Sequence, residues 1–193
     1  MANALVELGA KFGDRIGTLA WNDYRHLELY YGVSGSGMVC HTINPKLFPE
    51  QVNYIINHAE DRFIFVDLLV VPLLEALKDH LPKVEGYIIL TDEAHMPNTT
   101  LPNAMCYETL LSKQSSAFDW PEFDENTASA MCYTTGTTGN PKGVVYSHRS
   151  TLLHAICGSM PDAVAASYKE TTLPIVPMFH VNAWGAPYSS LMV

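Results

Sequence analysis

Basic residues are scarce in this chain: 11 Lys and Arg stand against 20 Asp and Glu, for a formal charge of −9. A chain that acidic lacks the positive footprint needed to neutralise nucleic-acid phosphates, so no nucleic-acid partner is expected. Net charge does not exclude a nucleotide, which a few local donors can hold. Cysteine is sparse as well. Cys40, Cys106, Cys132 and Cys157 lie far apart and form no C-x-x-C pair. That spacing argues against a zinc site or disulfide framework and for buried free thiols in a reducing compartment. No run approaches the roughly 18 apolar residues of a membrane span. The opening MANALVELGAKFGDRIG has no basic region followed by a long apolar stretch, so no secretion signal is read and a cytoplasmic protein is expected. Repeats and low-complexity tracts are missing too. With 48% hydrophobic and 16% charged residues the composition is that of a globular domain.

What is present is an alternation of two textures. Short β-rich runs occur at Ile16–Trp21, Met38–Ile43, Phe63–Val66 and Tyr87–Leu90. Helical spacing fills the gaps. One segment opens at Asn22/Asp23 as N-caps and puts Tyr24, Leu27 and Tyr31 on one face. A second follows Pro49 with Val52, Ile55, Ile56 and Ala59, and a third runs from Pro72 through Leu73, Leu77 and Leu81. Strands separated by helices of this length predict an α/β fold: βαβ units with a mainly parallel sheet flanked by helices. Thr91 to about Asn126 is richer in Pro, Asn, Asp and Ser and reads as a connection with one short helix near Tyr107–Leu111. Beyond it, Ala128–Thr134, Gly143–Tyr146 and Thr171–Val176 read as strands, and Ser147 as the cap of a helix through Leu152, Leu153 and Ile156. The chain thus divides into 1–90, 91–126 and 127–193. Both ends read as cut, since Ala2–Leu8 is a short helix feeding the first strand and Tyr188–Val193 stops in apolar sequence.

The most informative segment is Tyr133-Thr134-Thr135-Gly136-Thr137-Thr138-Gly139-Asn140-Pro141-Lys142-Gly143. Glycines let successive N–H groups converge into an anion-binding concavity, and threonine hydroxyls add donors at its rim and can ligate a hard cation. Lys142 adds a point charge for phosphate oxygens. A hairpin turn needs two to five residues and one glycine, far less than this composition. The NTPase loop G-x-x-x-x-G-K-[ST] fails on spacing, because Lys142 is followed by Gly143 and the next segment reads as a strand rather than a helix.

This run, extended by Val144-Val145-Tyr146-Ser147-His148, resembles the phosphate-binding signature of the adenylate-forming superfamily. Pro177-Met178-Phe179-His180-Val181-Asn182-Ala183-Trp184-Gly185 is similar to the acyl-pocket motif of its medium- and long-chain fatty-acid CoA ligases. A weaker likeness runs from Gly13-Asp14-Arg15 through Asn44-Pro45. The resemblance implies part of the large N-terminal AMP-binding domain of an acyl-CoA synthetase, without its C-terminal domain. It implies ATP/AMP, Mg²⁺ and CoA as cofactors and cosubstrates, a fatty acid as substrate, and is compatible with a homodimer. By the same resemblance Thr134, Thr135, Gly136, Thr137, Thr138 and Gly139 grip the β- and γ-phosphates with help from Lys142, and Thr134 is the candidate hydroxyl for Mg²⁺. His180 lies beside the carboxylate and adenylate, where its imidazole either hydrogen-bonds an oxyanion or shapes the pocket. Val181 contributes a backbone contact to the nucleotide. Trp184 borders the acyl tunnel, near His180 if the segment is helical. The other histidines, His26, His41, His58, His80, His95, His148 and His154, read as structural, as do Trp21, Asn44 and Pro45. Two alternatives stand: an amino-acid or aryl-acid adenylating enzyme, disfavoured by the lack of an acidic residue in Met178–Gly185, and a non-catalytic nucleotide- or acyl-binding module.

Overall fold

In the computed structural model, residues 1–134 and 139–193 are described. Seven strands form one sheet in the order β5-β4-β3-β1-β2-β6-β7. They are β1 (Arg15–Leu19), β2 (Val39–Thr42), β3 (Phe63–Val66), β4 (Gly86–Ile89), β5 (Ala104–Cys106), β6 (Ala128–Thr134) and β7 (Lys142–Ser147). All neighbours are parallel except β6 and β7, which pair antiparallel. The chain builds outward from β1 in both directions: β2 lies on one side, β3, β4 and β5 on the other, and β6 returns to sit beside β2.

Helices cover both faces, as a parallel sheet demands. On one side α1 (Ala2–Glu7), α2 (Tyr24–Gly35) and α5 (Tyr107–Ser112) pack against Ile16, Cys40, Phe63, Phe65 and Ile88. On the other, α3 (Pro49–Ala59) and α4 (Val71–Leu77) cover Leu19, Ile43, Ile64, Val66 and Ile89. Phe63 and Phe65 point one way and Ile64 and Val66 the other, which is the two-residue period of a strand buried on both faces. The expected buried stripe of α3, Val52, Ile55, Ile56 and Ala59, is the observed one.

Several expectations need correction. The buried face of α2 is His26, Leu29, Tyr30 and Val33, while Tyr24 and Tyr31 are exposed. Two stripes compete on that helix, and the sheet selects the one whose polar members find partners. Asp23 caps α2 through His26 N–H at 2.8 Å, and the buried His26 ring bonds Trp21 O and Thr18 Oγ1, each at 3.0 Å. The Trp21 carbonyl can only accept, so Nδ1 carries the proton and Nε2 accepts from Thr18. Thr171–Val176 is not a strand: Leu173 and Ile175 are 81% and 86% exposed, and no neighbouring strand pairs with the segment among the described residues. Asn22 instead anchors this run, donating to Pro174 O and Val176 O and accepting from Met178 N–H. The connection after Thr91 holds β5, too short for its period to register in the sequence.

The third helix expected through Leu81 stops at Leu77, a 3-10 turn at Lys78–His80 follows, and Val71, Leu74 and Leu77 rather than Leu73 form its buried face. Ser147 accepts from Ser150 N–H at 3.1 Å and starts α6 (His148–Ser159), and α7 (Ala186–Met192) ends the chain. Of α6 only Ala155 is buried, so Leu152, Leu153 and Ile156 face outward. Cys40, Cys106 and Cys132 are buried free thiols, whereas Cys157 is exposed. No helix among the described residues is long and apolar enough to cross a membrane.

Candidate active site

Two parallel strands whose C-terminal ends stop side by side leave a crevice, and ligands of doubly wound sheets gather where the winding reverses. Here those strands are β2 and β6. The cleft is lined by Thr42, Ile43 and Asn44 at the end of β2, by Cys132, Tyr133 and Thr134 at the end of β6, by Tyr146 of β7, and by Phe179, His180 and Val181. The structure therefore brings together three of the residues singled out in the sequence: Thr134, His180 and Val181. Lys142 opens β7 directly opposite Thr134, whose Oγ1 lies 3.5 Å from Lys142 O, and its own side chain is exposed outside the cleft lining. Gly139 has a φ of +85°, a conformation that favours glycine. Thr135, Gly136, Thr137 and Thr138 lie outside the described residues.

The start of this loop is held from below. Tyr133 packs on the His41 ring at 5.2 Å and its hydroxyl meets His58 Nδ1 at 2.6 Å. His41 is in turn bonded through Nδ1 to both Asp61 carboxylate oxygens at 2.8–2.9 Å, with both side chains fully buried. Burial pushes the Asp61 carboxyl up, and the His41 partner pulls it back. Gly17 on the neighbouring strand leaves the room: a Cβ there would lie 3.3 Å from the Asp61 carboxyl. His41 and His58 thus meet at the first residue of the loop, the buried His41–Asp61 pair beneath Tyr133 and the exposed His58 at its hydroxyl.

The segment carrying His180 has an unexpected backbone. Val181, Asn182, Ala183, Trp184 and Gly185 all have positive φ, from 47° to 77°. For a non-glycine residue this costs about 1–2 kcal/mol each. His180 and Trp184 border different cavities. His180 lines the β2/β6 cleft, while Trp184, 67% exposed, borders a second cavity with Ser150, Thr151, His154 and Tyr188. Tyr146 and Val181 line both and form the wall between them.

Several contacts that fix this arrangement carry no signal in the sequence, and of the residues that make them Tyr30 and Thr42 stand outside every motif. The Tyr30 hydroxyl bonds Met178 O, Asn22 binds Met178 N–H, and Trp21 packs edge-on to Phe179 at 5.4 Å. Thr42 Oγ1 donates to Asn182 Oδ1 at 2.9 Å, in the buried interior. Cys132 also lines the cleft; burial pushes its thiol up, and the Tyr146 hydroxyl and Val181 amide beside it pull the other way. Contacts across more than a hundred positions have no local pattern to betray them. Among the described residues no group of three His, Cys, Asp or Glu could hold a metal ion. Thr134 supplies one hard oxygen at the cleft, a set that suits an ion keeping water and phosphate oxygens as its other ligands, as Mg²⁺ does.

A mainly parallel sheet wound both ways, with a hydroxyl-rich cleft at its switch point, defines a ligand-binding α/β domain. Its fold matches a long-chain-fatty-acid-CoA ligase from Archaeoglobus fulgidus, with a TM-score of 0.83 and 21% identity over 99% of this chain and 35% of that one. The chain belongs to the AMP-binding enzyme family, whose model matches residues 1–193. It is 51% identical to a medium-chain-fatty-acid–CoA ligase of Ectopseudomonas oleovorans over all of this chain and 35% of that protein. It is 52% identical to a 3-methylmercaptopropionyl-CoA ligase of Ruegeria lacuscaerulensis, again over the whole chain and 36% of the relative. The chain therefore spans about a third of the length of these relatives.

Proposed function

We propose that the protein to which this chain belongs activates a fatty acid in two steps. The carboxylate attacks the α-phosphate of ATP, forming an acyl-adenylate and releasing pyrophosphate; the CoA thiolate then takes the acyl group and AMP leaves. The observation that carries this is the shared cleft of Thr134, at the head of the Thr/Gly run, and His180, from the aromatic motif. The first step brings an anion to a polyanion, so the site must supply positive charge and aligned donors. Thr134 to Gly139 and Lys142 do so for the β- and γ-phosphates. Thr134 Oγ1 would be the protein oxygen on Mg²⁺, an ion that neutralises phosphate charge when bound. His180 donates a hydrogen bond to a carboxylate or adenylate oxygen, and the Val181 backbone contacts the nucleotide.

Trp184 and the second cavity lie across a single wall from the cleft, which suits the apolar tail of the acid. Medium- and long-chain acids are favoured over amino acids because Met178–Gly185 offers no carboxylate for an ammonium group. The relatives' names span medium-chain fatty acids and a methylthio-propionate, so chain length is the open variable. Buried free thiols favour a cytoplasmic setting. The test is carboxylate-dependent ATP–pyrophosphate exchange by the full-length protein across straight-chain, aryl and amino acids. Exchange is expected with straight-chain acids; exchange confined to amino or aryl acids would reassign the substrate class.

A further inference from the structure

The left-handed turn at Val181–Gly185 contains one glycine in five positions, so its backbone cannot be its own support. Asparagine visits this region more readily than most residues, which helps at Asn182 alone. The hydrogen bonds that hold the turn include Ala183 N–H to His180 O at 2.9 Å and Ala186 N–H to Ala183 O along its backbone, His154 Nε2 with Trp184 O at 3.0 Å at the surface, and Thr42 Oγ1 to Asn182 Oδ1 at 2.9 Å. The last differs in kind. Both partners are buried, and it ties the turn to the end of β2, at the floor of the cleft that His180 lines.

We propose that the Thr42–Asn182 hydrogen bond is a positioning device. It fixes the turn so that His180 faces the phosphate cleft while Trp184 stands over the neighbouring cavity, and so aligns the acid's carboxylate with the α-phosphate without touching either. The proposal rests on the ligase function given above. Its signature is asymmetric: loss of the bond moves the turn, and with it the acid-binding side and the Val181 contact, and leaves the β- and γ-phosphate grip on β6 and the Thr/Gly run in place.

Thr42→Val removes the donor at nearly constant volume, Thr42→Ser keeps it, and Asn182→Gly removes the acceptor while tolerating the positive φ. Kinetics of ATP–pyrophosphate exchange are measured on the full-length protein. Fluorotryptophan NMR on the 193-residue chain reads the turn itself, with the Trp184 resonance assigned through Trp184→Phe. Thr42→Val and Asn182→Gly are expected to lower kcat/KM for the acid about tenfold or more and to raise the KM for ATP by much less, through the Val181 contact alone, with Thr42→Ser close to the parent. The Trp184 resonance is expected to move in Thr42→Val and stay in Thr42→Ser, with that of Trp120 unchanged in both. An unmoved Trp184 resonance in Thr42→Val, or equal losses for acid and ATP, would overturn the proposal. No exchange by the parent with any carboxylic acid would instead sink the ligase function, and the resonance would still decide whether the bond sets the turn.

Discussion

Lys142 and Thr137 test the phosphate grip one side chain at a time. In the full-length protein Lys142→Ala and Thr137→Ala are each expected to slow adenylate formation about 10²-fold, the scale of one lost transition-state donor. Acyl binding, read by titration of a fatty-acid analogue, should be little affected; an equal loss there would remove these residues from the phosphate side. His26 offers a test of stability instead. Burial holds its imidazole down at about 4, so between the ordinary value near 6.5 and that point the unfolded chain binds more protons than the folded one. Stability is full above the window and falls as the pH drops through it, by about 3 kcal/mol. His26→Gln should flatten the slope of urea-derived stability between pH 6.5 and about 4. A slope unchanged from the parent would assign the acid sensitivity elsewhere. Of the site's residues, Thr134 and His180 were legible because each sits in a dense local motif. The bonds of Thr42, Asn22 and Asn182 were not, because each is made with a partner far along the chain, even where the residue itself sits in a motif or reads as a cap.

Among the elements, legibility tracked how much of a segment's surroundings its own period encodes. Phe63–Val66 is β-branched or aromatic throughout and buried on both faces, so the strand was read with its true bounds. Helix α3 carries one unbroken stripe and admitted one solution. Helix α2 carries two, and only the sheet could choose. Thr171–Val176 has the residues of a strand and lacks a neighbour to pair with, while β5 has the neighbour and too few residues to show it. The contrast between α3 and α6 gives a stability prediction. In the 193-residue chain Ile55→Ala should cost about 2–5 kcal/mol, since the side chain is 1% exposed, whereas Leu153→Ala, 47% exposed, should stay within about 0.5 kcal/mol. Urea unfolding of the two variants measures the difference; similar losses would mean that α6 is packed against something in solution.

At the scale of the molecule, the sheet and the segment after it supply a floor, a rim that carries Thr134 and a turn beside two cavities. The relatives are about three times as long, and the 193-residue chain alone is expected to form no acyl-CoA from a fatty acid, ATP and CoA. Chromatographic detection of the thioester above background would overturn that expectation. The mainly parallel sheet flanked by helices was readable from the alternation of strand and helix. What was not readable was that β6 would insert beside β2 rather than extend the opposite edge, since no residue in Ala128–Thr134 names its neighbour.

That insertion also sets an order in time. Strands β1 to β4 meet through short crossovers, whereas Cys40 must wait for Ala130 and Thr42 for Asn182 before the cleft has walls. Contacts closed over long stretches of chain form late, because the entropy of closure is spent before the contact returns anything. During synthesis the first βαβ units can pair while Tyr133–Gly143 and His180 are still being made. Pulsed hydrogen exchange on refolding chain would then find β1 and β3 protected first and the floor of the cleft last.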